Sequence, residues 1–535
     1  MLITGAELFV KALKAEQVDT LFAYPGGQAI DLFNALYGEN DIDVILPRHE
    51  QGLVHAADGY ARSTGKVGVC LVTSGPGATN LVTGIATANY DSVPLVCFTG
   101  QVPTGLIGKD AFQEVDIVGI TRSVCKYAVT VRKREDLPMI IKKAFCIAKT
   151  GKPGVVVVDL PKDIQREYGS DEYPKEIEIR GYKPNISVHA GQIKKAAEVL
   201  NKARKPVFLI GGGVNISHAQ DEMLKLAELT RVPVITTIMG KGAIPTTHDL
   251  YVGNIGIHGS YAANTAISNC DVLFSIGTRF NDRITGKISH FATHATIIHV
   301  DIDPASISRN IAVDIPIVAD AKKAILALLD KVQPLDTDKW LSEIGKWKRQ
   351  YPLSMKSGGL TPQKIVKAIN DTFGSAIIAT DVGQNQLWAT QFLELSKEKR
   401  LLTSGGLGTM GFGFPAAIGA KIGNPDKDVI VISGDGGMQM NIQEMATAVC
   451  YELPITICIL NNGYLGNVRQ WQEMFFNKRY SSTCMRYRRN CPNSCNSPND
   501  DCPEYTPDFI RLAESYGARG IRVTSEKEIA AALKM

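Results

Sequence analysis

Short runs of apolar, mostly β-branched residues recur along the chain, and most of them end in glycine, aspartate or asparagine. The runs do not alternate between polar and apolar positions, so we expect strands that are buried on both faces. Helix-like stretches separate the runs, and this alternation is typical of parallel α/β sheets. The predicted strands lie within residues 67–75, 93–100, 154–161, 206–213, 272–277, 296–303, 375–383, 428–436 and 454–462.

Two polar, turn-rich stretches are predicted to be linkers that divide the chain into thirds. Residues 166–185 are charged, and residues 332–359 are polar and punctuated by proline. Each third has its own apolar runs, so we predict an α/β protein with three doubly wound parallel-sheet domains, at residues 1–170, 189–333 and 361–535. Such sheets bind ligands at the carboxyl ends of their strands, so the polar residues directly after each run are the candidate site.

Composition and charge narrow the classes of protein that this sequence can represent. Hydrophobic residues occupy 44% of the 535 positions and charged residues 21%, which excludes disorder as the main state. A net charge of +4 is too weak to indicate a nucleic-acid partner. Lys11, Lys14 and Glu16 interrupt the first segment, which therefore predicts an amphipathic helix rather than a signal peptide. The sequence contains no apolar stretch long enough to predict a membrane span. Several cysteines lie within apolar runs as small buried side chains, which favours a reducing, cytoplasmic location.

Two polar motifs follow consecutive apolar runs near the end of the chain. Gly434-Asp435-Gly436 ends one run and Asn461-Asn462 ends the next. If the two strands are parallel neighbours, Asp435 and Asn462 offer two oxygens to one Mg²⁺, a cation that commonly bridges to a diphosphate. Gly436 and Gly437 would let the backbone approach that diphosphate. The alternative is that both motifs are only turns at strand ends.

This pair of motifs, with its spacer, resembles the signature of the thiamine-diphosphate (ThDP) enzymes. By resemblance, Asp435, Asn462 and the backbone carbonyl of Tyr464 hold Mg²⁺. Residues 404–420 resemble the segment that holds the aminopyrimidine, with Met410 beneath the cofactor, although such a methionine is otherwise core packing. The resemblance places ThDP contacts at Pro76, Asn80, Gly383, Gln384, Asn385, Gly408, Met410, Gly434, Asp435, Gly436, Gly437, Asn462, Tyr464, Leu465 and Gly466.

Glu50 is the candidate acid–base group. It follows the apolar residues 44–46 and precedes a predicted helix, in a context that resembles the glutamate segment of the ThDP enzymes. A carboxyl group bonded to the cofactor's pyrimidine ring would favour the tautomer that removes the C2 proton. The alternative is a carboxylate that only stabilises a helix start. In the family the glutamate and the GDG aspartate act from opposite subunits, so the resemblance implies a homodimer or a tetramer.

Over essentially the whole chain the sequence is similar to the catalytic large subunits of the acetolactate synthase family. The segments that carry this similarity are residues 23–27, 73–80, 110–116, 151–163, 277–286 and 465–472. The similarity implies decarboxylation of pyruvate on ThDP and transfer of the two-carbon unit to a second 2-ketoacid, pyruvate or 2-ketobutyrate. The products, 2-acetolactate and 2-aceto-2-hydroxybutyrate, lead to branched-chain amino acids. The alternatives are a ThDP/FAD pyruvate oxidase, a 2-ketoacid decarboxylase, or a non-catalytic regulatory paralogue.

The same resemblance implies roles for substrate-binding residues and a regulatory small subunit as partner. The Gly27 N–H and Gln113 would hold substrate oxygens, and Lys162 would line the access channel together with Phe112. Arg279 would grip the carboxylate of the second substrate, and Trp471 would pack against its alkyl group. The alternatives are that Arg279 forms a structural ion pair and that Trp471 belongs to the core.

The middle third resembles the FAD-binding domain of this family. Because the net reaction transfers no electrons, FAD would be structural, and the alternative is a domain that has lost it. The resemblance places FAD contacts at Lys152, Gly211, Gly212, Gly213, His258, Gly277, Arg279, Asp301, Ile302 and Asp320. Departures from many relatives are Lys152 in place of Arg, Asn281 in place of Asp and Asn467 in place of Met.

Four cysteines, Cys484, Cys491, Cys495 and Cys502, lie within one short polar segment. Four thiols can bind Zn²⁺ or an iron–sulfur cluster, but only the middle pair has a spacing usual for zinc. A metal site, a disulfide and unmodified thiols therefore remain open alternatives.

Overall fold

Every apolar run singled out in the sequence contains a strand, and the sheets they form are parallel. The computed structural model describes residues 1–184, 187–355, 358–486, 489, 491, 502 and 506–535. The chain divides into two compact units. The first unit comprises residues 1–183, 377–386 and 402–522, and the second comprises residues 184–376, 387–401 and 523–535.

The N-terminal part of the first unit is a six-stranded sheet covered by helices, together with a two-stranded antiparallel ribbon of β1 and β8. The strands are β1 (Leu2–Thr4), β2 (Thr20–Ala23), β3 (Asp43–Ile45), β4 (Gly68–Val72), β5 (Leu95–Gln101), β6 (Tyr127–Thr130), β7 (Val155–Pro161) and β8 (Tyr168–Ser170). The helices are α1 (Gly5–Ala15), α2 (Ile30–Leu36), α3 (Glu50–Thr64), α4 (Pro76–Asn80), α5 (Val82–Tyr90), α6 (Ile117–Thr121), α7 (Leu137–Lys149) and α8 (Lys162–Arg166).

The strand order of the six-stranded sheet is β3-β2-β4-β5-β7-β6. The order reverses between β2 and β4, so the loops after these two strands flank a crevice at the carboxyl edge. The predicted amphipathic helix near the start of the chain is α1, whose apolar side chains are buried. The first predicted linker contains β8, which pairs with β1.

The second unit is built on a six-stranded parallel sheet of order β11-β10-β9-β12-β13-β14, in which the reversal lies between β9 and β12. The strands are β9 (Pro206–Ile210), β10 (Val234–Thr236), β11 (Tyr251–Asn254), β12 (Val272–Ile276), β13 (Thr296–Asp301) and β14 (Ile315–Val318). The helices are α9 (Ala190–Leu200), α10 (Gly212–Ile216), α11 (Gln220–Thr230), α12 (Tyr261–Asn269), α13 (Asp282–Thr285), α14 (Ala321–Leu329), α15 (Asp338–Gln350) and α16 (Pro362–Thr372).

The prediction that residues 332–359 form a linker is wrong, because this segment contains α15. Trp340 of this helix is fully buried, and its indole Nε1 donates a hydrogen bond to the carbonyl oxygen of Pro206 at 3.0 Å. Ile344, one turn further on, also belongs to the core of the unit. The polar exposed face of α15 concealed this buried face in the sequence.

The last part of the chain forms a four-stranded sheet of order β16-β15-β17-β18. Its strands are β15 (Ala376–Thr380), β16 (Arg400–Leu402), β17 (Asp428–Gly434) and β18 (Ile455–Leu460). The helices are α17 (Gln384–Phe392), α18 (Gly413–Gly423), α19 (Asp435–Met438), α20 (Met445–Cys450), α21 (Gly466–Phe475), α22 (Phe509–Ser515) and α23 (Glu526–Leu533). The prediction that both faces are buried is wrong for β18, whose residues are mostly half-buried because it is an edge strand in the described part of the sheet.

Within the first unit, α3 and α18 cross at backbone contact distance. A Cβ atom at Gly419 would overlap the carbonyl oxygen of Ala56, and one at Gly59 would overlap the carbonyl oxygen of Ala416. Glycine is therefore required at both positions, although alanine is the better helix former. This crossing joins the sheet that carries Glu50 to the sheet that carries Asp435.

Replacing Gly419 with alanine is expected to destabilise the protein by about 2 kcal/mol or more, because the helices must separate to admit the methyl group. The matched control is Gly345→Ala in α15, where the nearest atom to an added Cβ belongs to the flexible Arg349 side chain at 3.3 Å. That control is expected to be neutral or to gain up to about 1 kcal/mol. Thermal and urea unfolding measure both changes, and equal effects at the two sites would contradict the close crossing.

Candidate active site

The carboxyl edge of the first sheet brings together several predicted site residues. The Lys162 ammonium group donates a hydrogen bond to the carbonyl oxygen of Gly27 at 2.5 Å. A Cβ atom at Gly75 would lie 2.9 Å from the Cβ of Gln113, so this glutamine borders the turn that leads into Pro76. These residues follow β2, β4, β5 and β7, and the loops after β2 and β4 flank the point where the strand order reverses.

Glu50 is the first residue of α3 and is half-buried. The side-chain amide of Asn80 donates a hydrogen bond to its Oε2 at 2.9 Å, and the Cβ position of Gly77 lies 3.5 Å from its Oε1. Among the described residues, no other side chain forms a hydrogen bond or ion pair with this carboxyl group. The arrangement leaves Oε1 available to a ligand, and it is equally compatible with the helix-start alternative.

The loop that carries Gln113 is anchored to a buried aspartate. The side-chain amide of Gln101 donates hydrogen bonds to the carbonyl oxygen of Val115 at 3.0 Å and to Asp159 Oδ2 at 3.1 Å. Thr99 and Thr130 donate their hydroxyl protons to the same carboxyl group. Burial raises the pKa of Asp159 to about 6, while these hydrogen bonds act in the opposite direction.

Asp435 and Asn462 follow two parallel neighbouring strands, as predicted. β17 pairs with β18 so that Gly434 lies opposite Leu460. Asp435 Oδ2 accepts a hydrogen bond from the Gly463 N–H at 3.0 Å, and Asn462 Oδ1 accepts one from the Tyr464 N–H at 2.9 Å. The turn after β18 therefore folds back onto the end of β17.

The Asp435 carboxyl group is a suitable ligand for a cation. Its residue is 1% exposed, and no cationic side chain of the described residues forms an ion pair with it. Burial raises its pKa, and the backbone N–H groups around it oppose that shift. A divalent cation bound to the carboxylate would offset the unfavourable burial of its charge. The predicted ligands, a carboxylate, an amide oxygen and a backbone carbonyl, are all oxygens, which Mg²⁺ prefers.

Glycines around Asp435 leave room that a side chain would fill. A Cβ atom at Gly436 would lie 2.9 Å from Leu465 Cδ2 and 3.6 Å from Met410 Cε. One at Gly466 would overlap Gln384 Oε1. The structure thus brings the segments around positions 383–385, 408–410, 434–437 and 462–466 to one edge of the sheet, where β15 and β17 mark the reversal of strand order.

Asp381 organises this edge and is a residue that the sequence analysis did not select. Its carboxyl group, which is 1% exposed, accepts hydrogen bonds from the N–H groups of Gly411 and Gly413 at distances of 3.0 to 3.1 Å. The Asn385 side-chain amide donates to the carbonyl oxygens of Asp381 and Ile432. These contacts fix the loop that carries Met410. The signal in the sequence was a polar residue directly after an apolar run.

In the second unit, the predicted FAD-contacting glycines lie where the strand order reverses. Gly213 donates its N–H to the carbonyl oxygen of Gly277 at 3.1 Å, and a Cβ atom at Gly211 would overlap that oxygen. Backbone packing alone therefore explains why glycine occupies these positions. Asp301 ends the adjacent strand β13, and the half-buried Ile302 follows it. The buried His299 leaves its ring Nδ1 without a hydrogen-bond partner in the described residues. This edge has the polar groups and close backbone approach that suit a dinucleotide.

Comparison with known proteins identifies the family. Residues 3–120, 193–328 and 381–535 match the family models "Thiamine pyrophosphate enzyme, N-terminal TPP binding domain", "central domain" and "C-terminal TPP binding domain". The chain is 44% identical to the acetolactate synthase isozyme 3 large subunit of Escherichia coli, with 99% of this chain and 91% of that protein covered. It is 45% identical to the acetolactate synthase large subunit of Haemophilus influenzae, with 99% and 92% covered. The chain belongs to the acetolactate synthase family of ThDP enzymes.

A third relative, the acetolactate synthase large subunit of Buchnera aphidicola subsp. Schizaphis graminum, is 46% identical, with 99% of this chain and 91% of that protein covered. The predicted family and the predicted fold class are therefore confirmed, because all three ThDP enzyme domains are present on parallel sheets. The roles of individual residues are not tested by these matches and stay predictions. None of the described helices combines the length and apolar character needed to cross a bilayer.

The resemblance predicts that Arg279 and Trp471 bind the second substrate. Arg279 lies in the second unit and Trp471 in the first. Arg279 is half-buried, and no ion pair to it occurs among the residues described. Trp471 lies on α21, a helix with no fully buried residue. The alternatives of a structural ion pair and a core tryptophan thus gain no support from the described residues. Phe112 is 84% exposed, which agrees with a place beside an open channel.

The remaining predicted flavin residues are less informative. Asp320 accepts a hydrogen bond from the Lys323 N–H and caps α14, which by itself explains an aspartate there. His258 is half-buried, and burial followed by the charge of Arg283 lowers its pKa. Lys152 lies in the first unit and is half-buried. Asn281 and Asn467, which replace the residues of many family members, are both half-buried.

The cysteine-rich segment stays untested because Cys495 lies outside the described residues. Cys484 forms an isolated antiparallel bridge with Tyr464, the predicted carbonyl ligand of Mg²⁺. Within the described ranges, no group of three histidine, cysteine, aspartate or glutamate side chains is placed to hold a metal.

Asp159 is expected to give the protein a distinctive dependence of stability on pH. Its pKa of about 6 in the folded state lies above the ordinary 3.8, so the folded protein holds a proton that the unfolded chain releases. The free energy of unfolding should therefore fall by about 3 kcal/mol as pH rises from about 4 to about 6 and then stay level. Asp159→Asn should lose this decline. Urea unfolding at several pH values measures it, and parallel curves for the two proteins would contradict the assignment.

Proposed function

We propose that this protein is the catalytic subunit of an acetolactate synthase. It decarboxylates pyruvate and joins the remaining two-carbon unit to a second 2-ketoacid, giving 2-acetolactate or 2-aceto-2-hydroxybutyrate on the route to valine, leucine and isoleucine. The observation that carries the proposal is that Asp435 and Asn462 meet at one sheet edge, while Glu50 keeps a carboxyl oxygen available. A paralogue without catalysis would have no reason to keep all three groups.

Asp435, Asn462 and the carbonyl oxygen of Tyr464 would hold Mg²⁺, and the ion together with the glycines at 436 and 437 would hold the diphosphate of ThDP. When bound, ThDP supplies the electron sink that makes loss of CO₂ from a 2-ketoacid possible. Gln384, Asn385, Gly383, Gly408, Met410, Leu465 and Gly466 would form the walls around it. Asp381 keeps the loop of Met410 in place through its hydrogen bonds.

Glu50 would hold and share a proton with the pyrimidine ring of the cofactor. Asn80 satisfies Oε2, so Oε1 is left for that bond, and Pro76 lies at the start of the short helix that carries Asn80. A carboxyl group at a helix start with one fixed oxygen has little freedom to rotate, which favours a defined direction for the proton. The low dielectric constant of a buried site strengthens such a hydrogen bond.

Gly27 and Gln113 would contact substrate oxygens beside Glu50, and Lys162 would line the access channel. Lys162 also binds the Gly27 carbonyl, and its ammonium lies 3.9 Å from Asp31, so its side chain holds the turn after β2 in shape. Arg279 would grip the carboxylate of the second 2-ketoacid, and Trp471 would choose between a methyl and an ethyl group. One extra methylene in an apolar pocket is worth about 1–3 kcal/mol, so this choice is a preference rather than an exclusion.

We further propose that FAD binds in a structural role at the edge formed by Gly211, Gly212, Gly213, Gly277 and Asp301. The active protein would be a homodimer or a tetramer in the cytoplasm. The name "large subunit" of its relatives supports a small regulatory subunit as partner. Purified protein with a visible flavin spectrum would support the FAD proposal, and protein that stays colourless after reconstitution would oppose it.

Incubation with pyruvate, ThDP and Mg²⁺ tests the main proposal through its product. Acetolactate is expected, whereas acetaldehyde as the main product indicates a decarboxylase and peroxide indicates an oxidase. Glu50→Gln should reduce product formation by about 100-fold or more while ThDP remains bound. Asp435→Ala should instead abolish Mg²⁺-dependent binding of ThDP, measured by equilibrium dialysis. A Glu50→Gln variant with full activity would contradict the role of Glu50.

Mixed dimers test whether Glu50 and Asp435 serve one site from opposite subunits. Subunits that carry Glu50→Gln are mixed with subunits that carry Asp435→Ala, each inactive alone. A hybrid should regain activity, because one of its two sites combines an intact glutamate with an intact aspartate. Enzymes refolded from either variant alone are the controls. Inactive hybrids of verified composition would show that the two residues act within the same chain.

A further inference from the structure

The backbone just before Glu50 is held by two side chains that follow Asp435 in the sequence. Glu444 accepts hydrogen bonds from the N–H of Arg48 at 3.0 and 3.1 Å, one to each carboxyl oxygen, and from the N–H of His49 at 3.0 Å. The hydroxyl of Tyr451 accepts a hydrogen bond from the Leu46 N–H at 2.8 Å. All these residues lie in the first unit.

Glu444 is built into this position. It is 1% exposed, and the Thr447 hydroxyl donates to its Oε2 at 2.6 Å. No ion pair to it occurs among the residues that the structure describes. A Cβ atom at Gly52 would overlap Glu444 Oε1, so the first turn of α3 needs glycine to admit the carboxylate. The buried charge is balanced by backbone N–H groups rather than by a cation.

The Tyr451 hydroxyl completes the contact on the other side of the turn. Besides accepting from Leu46, it donates a hydrogen bond to the carbonyl oxygen of Val44 at 3.3 Å. Residues 44–49 are therefore bound at four backbone groups by side chains of one short segment, residues 444–451. Because that segment begins shortly after Asp435, it connects the candidate cation ligand to the residue that starts α3.

We propose that Glu444 is a positioning residue for Glu50, with Tyr451 as its second contact, so that the 444–451 segment fixes the direction in which the Glu50 carboxyl group points. This inference rests on the proposed function only for the role of Glu50. Glu444 itself touches no reacting atom. It acts through the N–H groups of Arg48 and His49, and a small displacement of a catalytic group can cost about 100-fold in rate.

The first experiment measures the contact in protein without cofactor or substrate, so that it is independent of the proposed function. Hydrogen–deuterium exchange of peptides covering residues 44–52 is compared for wild type, Glu444→Gln and Glu452→Gln. Glu452 is exposed and is the matched control. Exchange should rise about 10-fold or more in Glu444→Gln and stay unchanged in the control. Unchanged exchange in Glu444→Gln would overturn the proposal.

The second experiment separates positioning from general stability. Glu444→Gln should lower kcat about 10- to 100-fold while the Kd of ThDP with Mg²⁺, which reports the Asp435 side, stays within about twofold. The double variant Glu50→Gln/Glu444→Gln should fall no further than Glu50→Gln alone, because Glu444 acts through Glu50. A double variant whose loss equals the product of the two single losses would overturn the proposal.

Tyr451→Phe keeps the test informative if Glu444→Gln does not fold. This variant removes one hydroxyl group and is expected to raise exchange at Leu46 with a smaller loss of kcat, about two- to tenfold. Exchange and kcat that both match wild type would overturn the part assigned to Tyr451. An active Glu50→Gln enzyme combined with raised exchange in Glu444→Gln would retain the contact but refute the function proposed for Glu50.

Discussion

The close crossing of α3 and α18 is the constraint on which the rest of the first unit depends. Two glycines, Gly59 and Gly419, allow the helix backbones to touch, and no larger residue fits either place. The Arg62 guanidinium, paired with the buried Asp58 and Asp91, donates to the carbonyl oxygen of Thr403, and the hydroxyls of Thr87 and Thr409 lie 2.7 Å apart. Packing and buried polar contacts therefore act on the same interface, and Met410 follows Thr409 directly. The helix that begins with Glu50 and the loop that carries Met410 are thus held by one rigid contact.

Strand order explains why chemistry concentrates at the sheet edges. Each parallel sheet has a reversal of strand order, between β2 and β4, between β9 and β12 and between β15 and β17. Loops on either side of a reversal leave in opposite directions and open a crevice between them. Gly27 and Pro76 flank the first crevice, Gly211 and Gly277 the second, and Asp381 and Asp435 the third. The same feature of strand order thus brings candidate residues that are far apart in the sequence to one edge of each sheet.

The sequence predicted the long buried strands and the motifs at their ends, because buried parallel strands leave long apolar runs. Its failures have identifiable physical causes. Helix α15 was mistaken for a linker because its exposed face is strongly polar, and only Trp340 and Ile344 are fully buried. Short strands such as β10 contain three residues, too few to show a pattern. Asp381 follows an apolar run directly and was passed over although its position carried that signal. Glu444 was missed because it binds backbone N–H groups that are distant in sequence, which no local motif reports. The similarity to acetolactate synthases supplied the residue roles that periodicity cannot.

Several carboxylates at this site are buried without an ion pair. The groups that form hydrogen bonds with each carboxylate indicate its role. Glu444 receives backbone N–H groups and a hydroxyl, so its charge is satisfied by the protein alone. Asp381 is satisfied in the same way by the loop of Gly411 and Gly413. Asp435 accepts the Gly463 N–H on one oxygen, and in the same turn Asn462 Oδ1 accepts the Tyr464 N–H. Neighbouring oxygen atoms repel a buried carboxylate unless a cation binds between them, whereas N–H groups stabilise its charge. Glu444 and Asp381 thus hold backbone segments in place, whereas Asp435 stays the predicted metal ligand at its sheet edge.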